Sequence, residues 1–151
     1  MEKRDSNHHL HQTRRITNSG GYIILVIVTA AIIENKDKVL ITQRKKGTNQ
    51  EFKWEFPGGK MEDRESPEEC LIREIKEELG LDIEVLDTFD FVYHEYPTIK
   101  ILLLAYKCKL IGGEIEAIDC NDFEWVNISE MNKYEFAEAD IPIVKCLNQN
   151  L

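Results

Sequence analysis

Glu74, Glu77 and Glu78 are spaced so that a single helical face presents all three carboxylates. Like charges at that spacing repel, costing an isolated helix about 0.2–0.5 kcal/mol per pair. A chain that stacks carboxylates in this way opposes them with cations, either metal ions or basic side chains, and Arg73 stands directly beside them. Immediately upstream, Phe56-Pro57-Gly58-Gly59-Lys60 reads as a tight glycine turn. Loop and acidic face together suggest a divalent-metal site built between a loop and a helix. The plain alternative is an ordinary amphipathic helix with a solvated acidic stripe.

The helix that must carry these carboxylates is marked at both ends. Ser66 suits the N-cap, Pro67 the first helical position, and Glu69 completes a capping box. Gly80 suits the left-handed position just past the C-terminus. At about 100° per residue, Leu71, Ile72, Ile75 and Leu79 gather on a packing side, away from the glutamates.

Around it the pattern alternates between strands and helices. Residues 22–33 are rich in β-branched side chains and read as a buried strand, with a turn at Asn35-Lys36-Asp37-Lys38 and a hairpin partner at 39–44. A loop is expected over 47–51 and a short extended piece over 54–60. Strands are expected over 83–93, over 100–110 ending in a Gly112-Gly113 turn, and over 123–126. A final helix is expected over 141–148. Strands interleaved with two helices predict an α/β sandwich with a mixed sheet. Residues 1–20 are polar and read as a disordered tail, and 21–151 as one domain. His8, His9 and His11 in that tail read as part of a solvated leader, with adventitious metal binding as the alternative.

Composition narrows the function classes. The 151 residues carry 19 basic and 28 acidic side chains, a net charge of −9. This argues against coating a nucleic-acid polymer or a membrane surface. The four cysteines, Cys70, Cys108, Cys120 and Cys146, have no zinc-ligand spacing and predict free thiols in a reducing cytoplasm. No apolar run is long enough to span a bilayer.

The acidic segment resembles the Nudix box of the Nudix hydrolases. That box is a glycine, five residues, a glutamate, seven residues, then R-E-U-x-E-E-x-G-U, with U a bulky aliphatic. Here these positions are Gly59, Glu65 and Arg73-Glu74-Ile75-Lys76-Glu77-Glu78-Leu79-Gly80-Leu81, and every fixed position matches. The resemblance implies the Nudix fold, an α/β/α sandwich with a mixed β-sheet. It also implies Mg²⁺, with Mn²⁺ as substitute, and hydrolysis of a phosphoric anhydride bond. It makes Glu74, Glu77 and Glu78 metal ligands and base candidates, and the Gly59 carbonyl a further ligand. Arg73 would orient the neighbouring glutamates, and Glu65 would pair with it or support the loop.

Trp54-Glu55-Phe56-Pro57-Gly58-Gly59-Lys60 is similar to the box entry of the MutT-like branch, which includes 8-oxo-dGTP diphosphatases and CTP pyrophosphohydrolases. By that likeness Arg44 contacts substrate, and Asp119 is an acidic metal ligand or base outside the box. Asp140, in Ala139-Asp140-Ile141-Pro142, touches the base. MutT carries asparagine where Asp140 stands and the CTP-type enzymes carry aspartate, which counts against strict 8-oxo-guanine specificity. Simpler readings exist for each: Arg44 as a surface cation, Asp119 as a loop acid, Asp140 as the last helix's N-cap. Phe56 is a core or base-stacking residue, and Lys60 a point charge beside phosphate. Tyr93, His94 and Tyr96 read as packing or as pocket lining. The expected activity is hydrolysis of a nucleoside triphosphate to monophosphate and pyrophosphate by a monomer or homodimer. The alternatives are hydrolysis of ADP-ribose or a nucleotide sugar, and a silent nucleotide-sensing module.

Overall fold

The computed structural model describes residues 13–18 and 21–149. Eight strands form one mixed sheet: β1 Thr13–Asn18, β2 Gly21–Asn35, β3 Lys38–Gln43, β4 Trp54–Glu55, β5 Gly58–Lys60, β6 Leu81–Glu95, β7 Lys100–Gly113 and β8 Asp122–Asn127. The helices are α1 Pro67–Leu79 and α2 Ile141–Gln149, with 3₁₀ turns at Ile128–Lys133 and Glu138–Asp140. β2 is the spine. Along one edge it runs parallel to β7, from Leu25 opposite Lys100 to Glu34 opposite Lys109. It also pairs antiparallel with β1, β5 and β3 in turn.

Side-chain alternation along the spine builds two cores. Ala30 and Ile32, with Val39 and Ile41 of β3, face a cluster containing Ile143 and Leu147 of α2. Ala31 and Ile33, with Leu40, face a cluster containing Leu71, Ile75 and Leu79 of α1. A period of two sends successive residues to opposite faces, so each face acquires its own helix. This is the α/β/α sandwich with a mixed sheet.

The helix signals hold in detail. The Glu69 amide donates to Ser66 Oγ at 3.1 Å. Gly80 adopts φ 71°, and its amide donates to the Lys76 carbonyl at 3.0 Å. Leu71, Ile75 and Leu79 are fully buried. Each such side chain contributes about 1.5–3 kcal/mol, which outweighs glutamate repulsion of a few tenths. Ile72, expected on the same side, is 47% exposed. The buried stripe follows the i, i+4 row through 71, 75 and 79, flanked by Cys70 and Glu78, and leaves 72 facing out.

Two further expectations change. Thr13–Asn18, read as disordered tail, is a strand with Thr13 opposite Val26 and Asn18 opposite Gly21. Its pairing is through backbone groups, which require no apolar pattern. The rest of that tail, with His8, His9 and His11, lies outside the described residues. Gly112 and Gly113 do not form a turn but continue β7 beside Asp82 and Leu81. A Cβ on Gly113 would lie 2.4 Å from the Gly80 carbonyl oxygen, so this glycine permits close strand contact. The two 3₁₀ turns were not foreseen.

β5 passes unusually close to the spine. A Cβ on Gly58 would lie 2.0 Å from the Thr29 carbonyl oxygen. Gly58→Ala is therefore expected to destabilise by about 1–3 kcal/mol and lower the thermal midpoint by several degrees. Circular dichroism melting checks this, and an unchanged midpoint would remove the packing argument.

Candidate active site

Gly59 lies between the spine and α1. Its carbonyl accepts hydrogen bonds from Thr29 Oγ1 at 3.2 Å and Cys70 Sγ at 3.6 Å. A Cβ here would stand 2.4 Å from the Glu74 carboxyl carbon, so Glu74 packs directly on the glycine backbone. Burial raises the Cys70 thiol to about 12, which leaves it an uncharged donor behind the loop.

Arg73 is the hub of the acidic face. Its guanidinium lies 2.8 Å from both Glu65 and Glu74, 3.3 Å from Glu77 and 3.7 Å from Glu62. It also donates to the Lys60 carbonyl at 3.2 Å, tying α1 to the end of β5. The Glu65 bond is the strongest influence on both partners, lowering the Glu65 carboxyl pKa and raising that of Arg73. Glu65 therefore pairs with Arg73, one of its two anticipated roles. Glu74 is half-buried. Desolvation raises its pKa, Arg73 partly offsets this, and Glu77 and Glu62 add to it.

Glu78 is not among the carboxylates that Arg73 pairs. It is 8% exposed, and its pKa is pushed well above the ordinary carboxyl value by burial, then by Glu55 and Glu74. A cavity of about 90 Å³ brings Glu78 together with Asp119, Glu55, Arg44 and Lys45. The segment carrying Asp119 closes the end of α1: the amides of Ile118 and Asp119 both donate to the Glu78 carbonyl, at 3.0 and 3.1 Å. These bonds satisfy a carbonyl that the helix itself leaves free. Asp119 is exposed and ion-paired with Lys45.

A larger cavity, about 330 Å³, opens beside the box. It is lined by Gly58, Gly59 and Lys60 on one side and by Arg44, Glu55, Tyr96 and Asp140 on another. Asp140 is 6% exposed and accepts a hydrogen bond from the Phe56 amide at 3.0 Å. Burial, then the Glu55 charge, raises its pKa well above the ordinary value. Arg44 reaches Glu55 at 3.0 Å and donates to the Asn49 carbonyl at 2.6 Å. Lys60 is exposed at the rim. The Phe56 side chain packs on Phe136 at 5.5 Å, in the core, while the residue also borders the cavity.

Sequence reasoning passed over Glu55 and Lys45, and left Tyr96 open between packing and pocket lining. Glu55 sits opposite Thr42 in the β3–β4 register, which its two-residue strand conceals. Of the three aromatic or imidazole side chains over 93–96, only Tyr96 lines the cavity, its hydroxyl accepting from the Ala139 amide at 3.2 Å. Tyr93 is exposed, and His94 pairs with Glu138 at 3.1 Å.

The donor chemistry of this face fits a hard divalent cation. Burial raises the pKa of both Glu74 and Glu78, and the Glu74 charge raises that of Glu78 further. Oxygen donors of this type suit Mg²⁺ or Mn²⁺. Among the described residues, no three acidic, thiol or imidazole groups converge on one point as a ready-made ligand set. Arg73 and Lys45 hold Glu74, Glu77 and Asp119 instead. Among the described residues, no helix is long and apolar enough to cross a membrane.

A family model described as the NUDIX domain matches residues 25–147. A CTP pyrophosphohydrolase of Escherichia coli is 35% identical over 121 residues, spanning 80% of this chain and 90% of that protein. An 8-oxo-dGTP diphosphatase of the same organism is 29% identical over 123 residues, spanning 81% and 95%. The solution structure of the E. coli ORF135 protein aligns with a TM-score of 0.74 at 33% identity, covering 83% of this chain and 89% of that one.

The buried Asp140 makes stability depend on pH. Its carboxyl keeps a proton in the folded state after the unfolded chain has lost it. Stability therefore falls as pH rises from the ordinary carboxyl value toward the raised one. Asp140→Asn keeps the acceptor for the Phe56 amide and removes the titration. Its stability relative to the parent should be nearly unchanged at pH 3.5 and higher at pH 8. Urea unfolding at the two pH values checks this, and a gap that closes with rising pH would contradict it.

Proposed function

Since this chain belongs to the Nudix family and is a hydrolase of phosphoric anhydride bonds, we propose that it cleaves a nucleoside triphosphate to the monophosphate and pyrophosphate, with Mg²⁺ or Mn²⁺. The base would be a pyrimidine or an oxidised purine. One observation carries this: a cavity with an acidic inner wall shares Gly59 and Lys60 with the carboxylate face of α1. A base seated in the cavity leaves its phosphates beside that face.

The division of labour follows from the surroundings of each group. Burial pushes the Asp140 carboxyl pKa up, which favours its protonated form as a donor to an acceptor on the base edge, and Arg44 and Glu55 fix the charge around it. Lys60 offers a point charge to phosphate from the rim. Glu74, Glu77 and Glu78, with the Gly59 carbonyl and Asp119, would hold the divalent ion. When bound, that ion neutralises phosphoryl oxygens and lowers the pKa of water. Arg73 orients Glu74 and Glu77. A helix carboxylate accepts the proton of the attacking water. Glu78, in the least solvated position of the three, suits this role.

Glu78→Gln and Glu77→Gln should each lower turnover by roughly 10²–10⁴-fold, with thermal midpoints within a few degrees of the parent. Near-parental turnover would dismiss the metal-face assignment. Asp140→Asn should alter the ratio of kcat/KM between bases more than kcat, and an equal loss on every base would make it structural. Pyrophosphate release across CTP, dCTP, 5-methyl-dCTP, 8-oxo-dGTP, the unmodified nucleotides and ADP-ribose tests the reaction itself. Cleavage of ADP-ribose alone, or tight binding without turnover, would overturn the proposal.

A further inference from the structure

Lys45 is a cation in a place where the proposed reaction has given it no role. It follows Arg44 at the end of β3. Its carbonyl accepts from Thr48 Oγ1 at 2.6 Å, which anchors its backbone in a turn. Its ammonium is ion-paired and hydrogen-bonded to Asp119 Oδ1. Asp119 is held from the other side by the hydrogen bond that its backbone amide donates to the Glu78 carbonyl. Two residues further on, the Asn121 amide donates to the Gln43 carbonyl at 2.9 Å, and Asn121 Nδ2 donates to Gln43 Oε1 at 2.6 Å. The end of β3 thus grips the 119–121 segment twice through Gln43 and once through Lys45.

The small cavity beneath this contact is lined by Glu78, Glu55 and Asp119, with Arg44 and Lys45 opposing them. Arg44 is occupied by Glu55 and by the Asn49 carbonyl. Lys45 is therefore the basic group answering Asp119, and it also feels the charge of Glu78. At about 90 Å³ the cavity has room for an ion and water. The side chains of Lys45 and Asp119 are 50% and 64% exposed, so their pairing is weak enough to exchange.

We infer that Lys45 is a positioning residue that holds Asp119 as an internal counter-ion and must release it before Asp119 can turn to a divalent cation. Lys45 thereby weakens the metal affinity of this site. The inference rests on the reading of Asp119 as a metal ligand, and the test separates the two.

The experiment is Mn²⁺ titration of the free enzyme, without nucleotide, followed by the electron paramagnetic resonance signal of unbound Mn²⁺. Lys45→Gln should tighten binding roughly two- to fivefold, the range expected when an exposed pair no longer competes. Lys45→Arg, which keeps the pair, should bind like the parent. Lys46→Gln, the same charge change one residue on, should have a markedly smaller effect. Asp119→Asn should weaken binding, and adding Lys45→Gln to it should change nothing further. If Asp119→Asn weakens binding but Lys45→Gln does not tighten it, the counter-ion role fails while the ligand reading stands. If Asp119→Asn leaves binding unchanged, the ligand reading fails and the inference with it. Equal effects of Lys45→Gln and Lys46→Gln would reduce the result to net charge and overturn it.

Discussion

Two glycines without room for a side chain set the geometry of the molecule's working end. Gly58 presses on the Thr29 carbonyl of the spine and Gly59 on the Glu74 carboxyl of the helix. The Gly58 contact is with rigid backbone, so β5 can lie this close to the spine only with glycine there, while at Gly59 the contact is with the end of the Glu74 side chain. That close approach brings the Gly59 carbonyl, the carboxylate face and the large cavity together. It also directs the preceding Phe56 inward, where its amide meets Asp140 across 84 residues of chain.

Charge is organised on the same scale. Arg73 answers four carboxylates, from Glu62 to Glu77, and Arg44 pairs with Glu55 while its charge also acts on the buried Asp140. In each group acids outnumber the guanidinium. Single exposed ion pairs contribute at most about 1 kcal/mol, so the apolar faces of α1 and α2, not these contacts, hold the helices to the sheet. The surplus of negative charge prepares the region for cations and for protons retained by burial. An acidic chain can thus receive an anionic substrate through bound ions, despite its net charge of −9.

The legible part of this protein was the part encoded within one helix and its flanks. Ser66, Pro67 and Gly80 mark the ends of α1, and the spacing of Glu74, Glu77 and Glu78 marks its acidic side, because helix periodicity and capping are local rules. The mixed sheet and its two helices followed from the β-branched run and hairpin turn along residues 22–44 and from the interleaving of elements. Local rules failed where packing chose between near-equal options: Ile72 turned outward, Gly112 and Gly113 extended a strand, and Thr13–Asn18 paired by backbone without an apolar signal.

By itself, then, the sequence determined the α/β architecture, the family and the carboxylate face, since each depends on residues within a few turns or on a motif of adjacent positions. Only the tertiary structure decided which charges meet. Glu55 joins Arg44 through strand register, Asp140 reaches the Phe56 amide through the return of α2 to the sheet, and Lys45 finds Asp119 across 74 positions. These are long-range contacts between elements whose relative placement no local periodicity specifies. Burial then shifts the Asp140 and Glu78 carboxyls, because desolvation is a property of the folded surroundings and not of the residue.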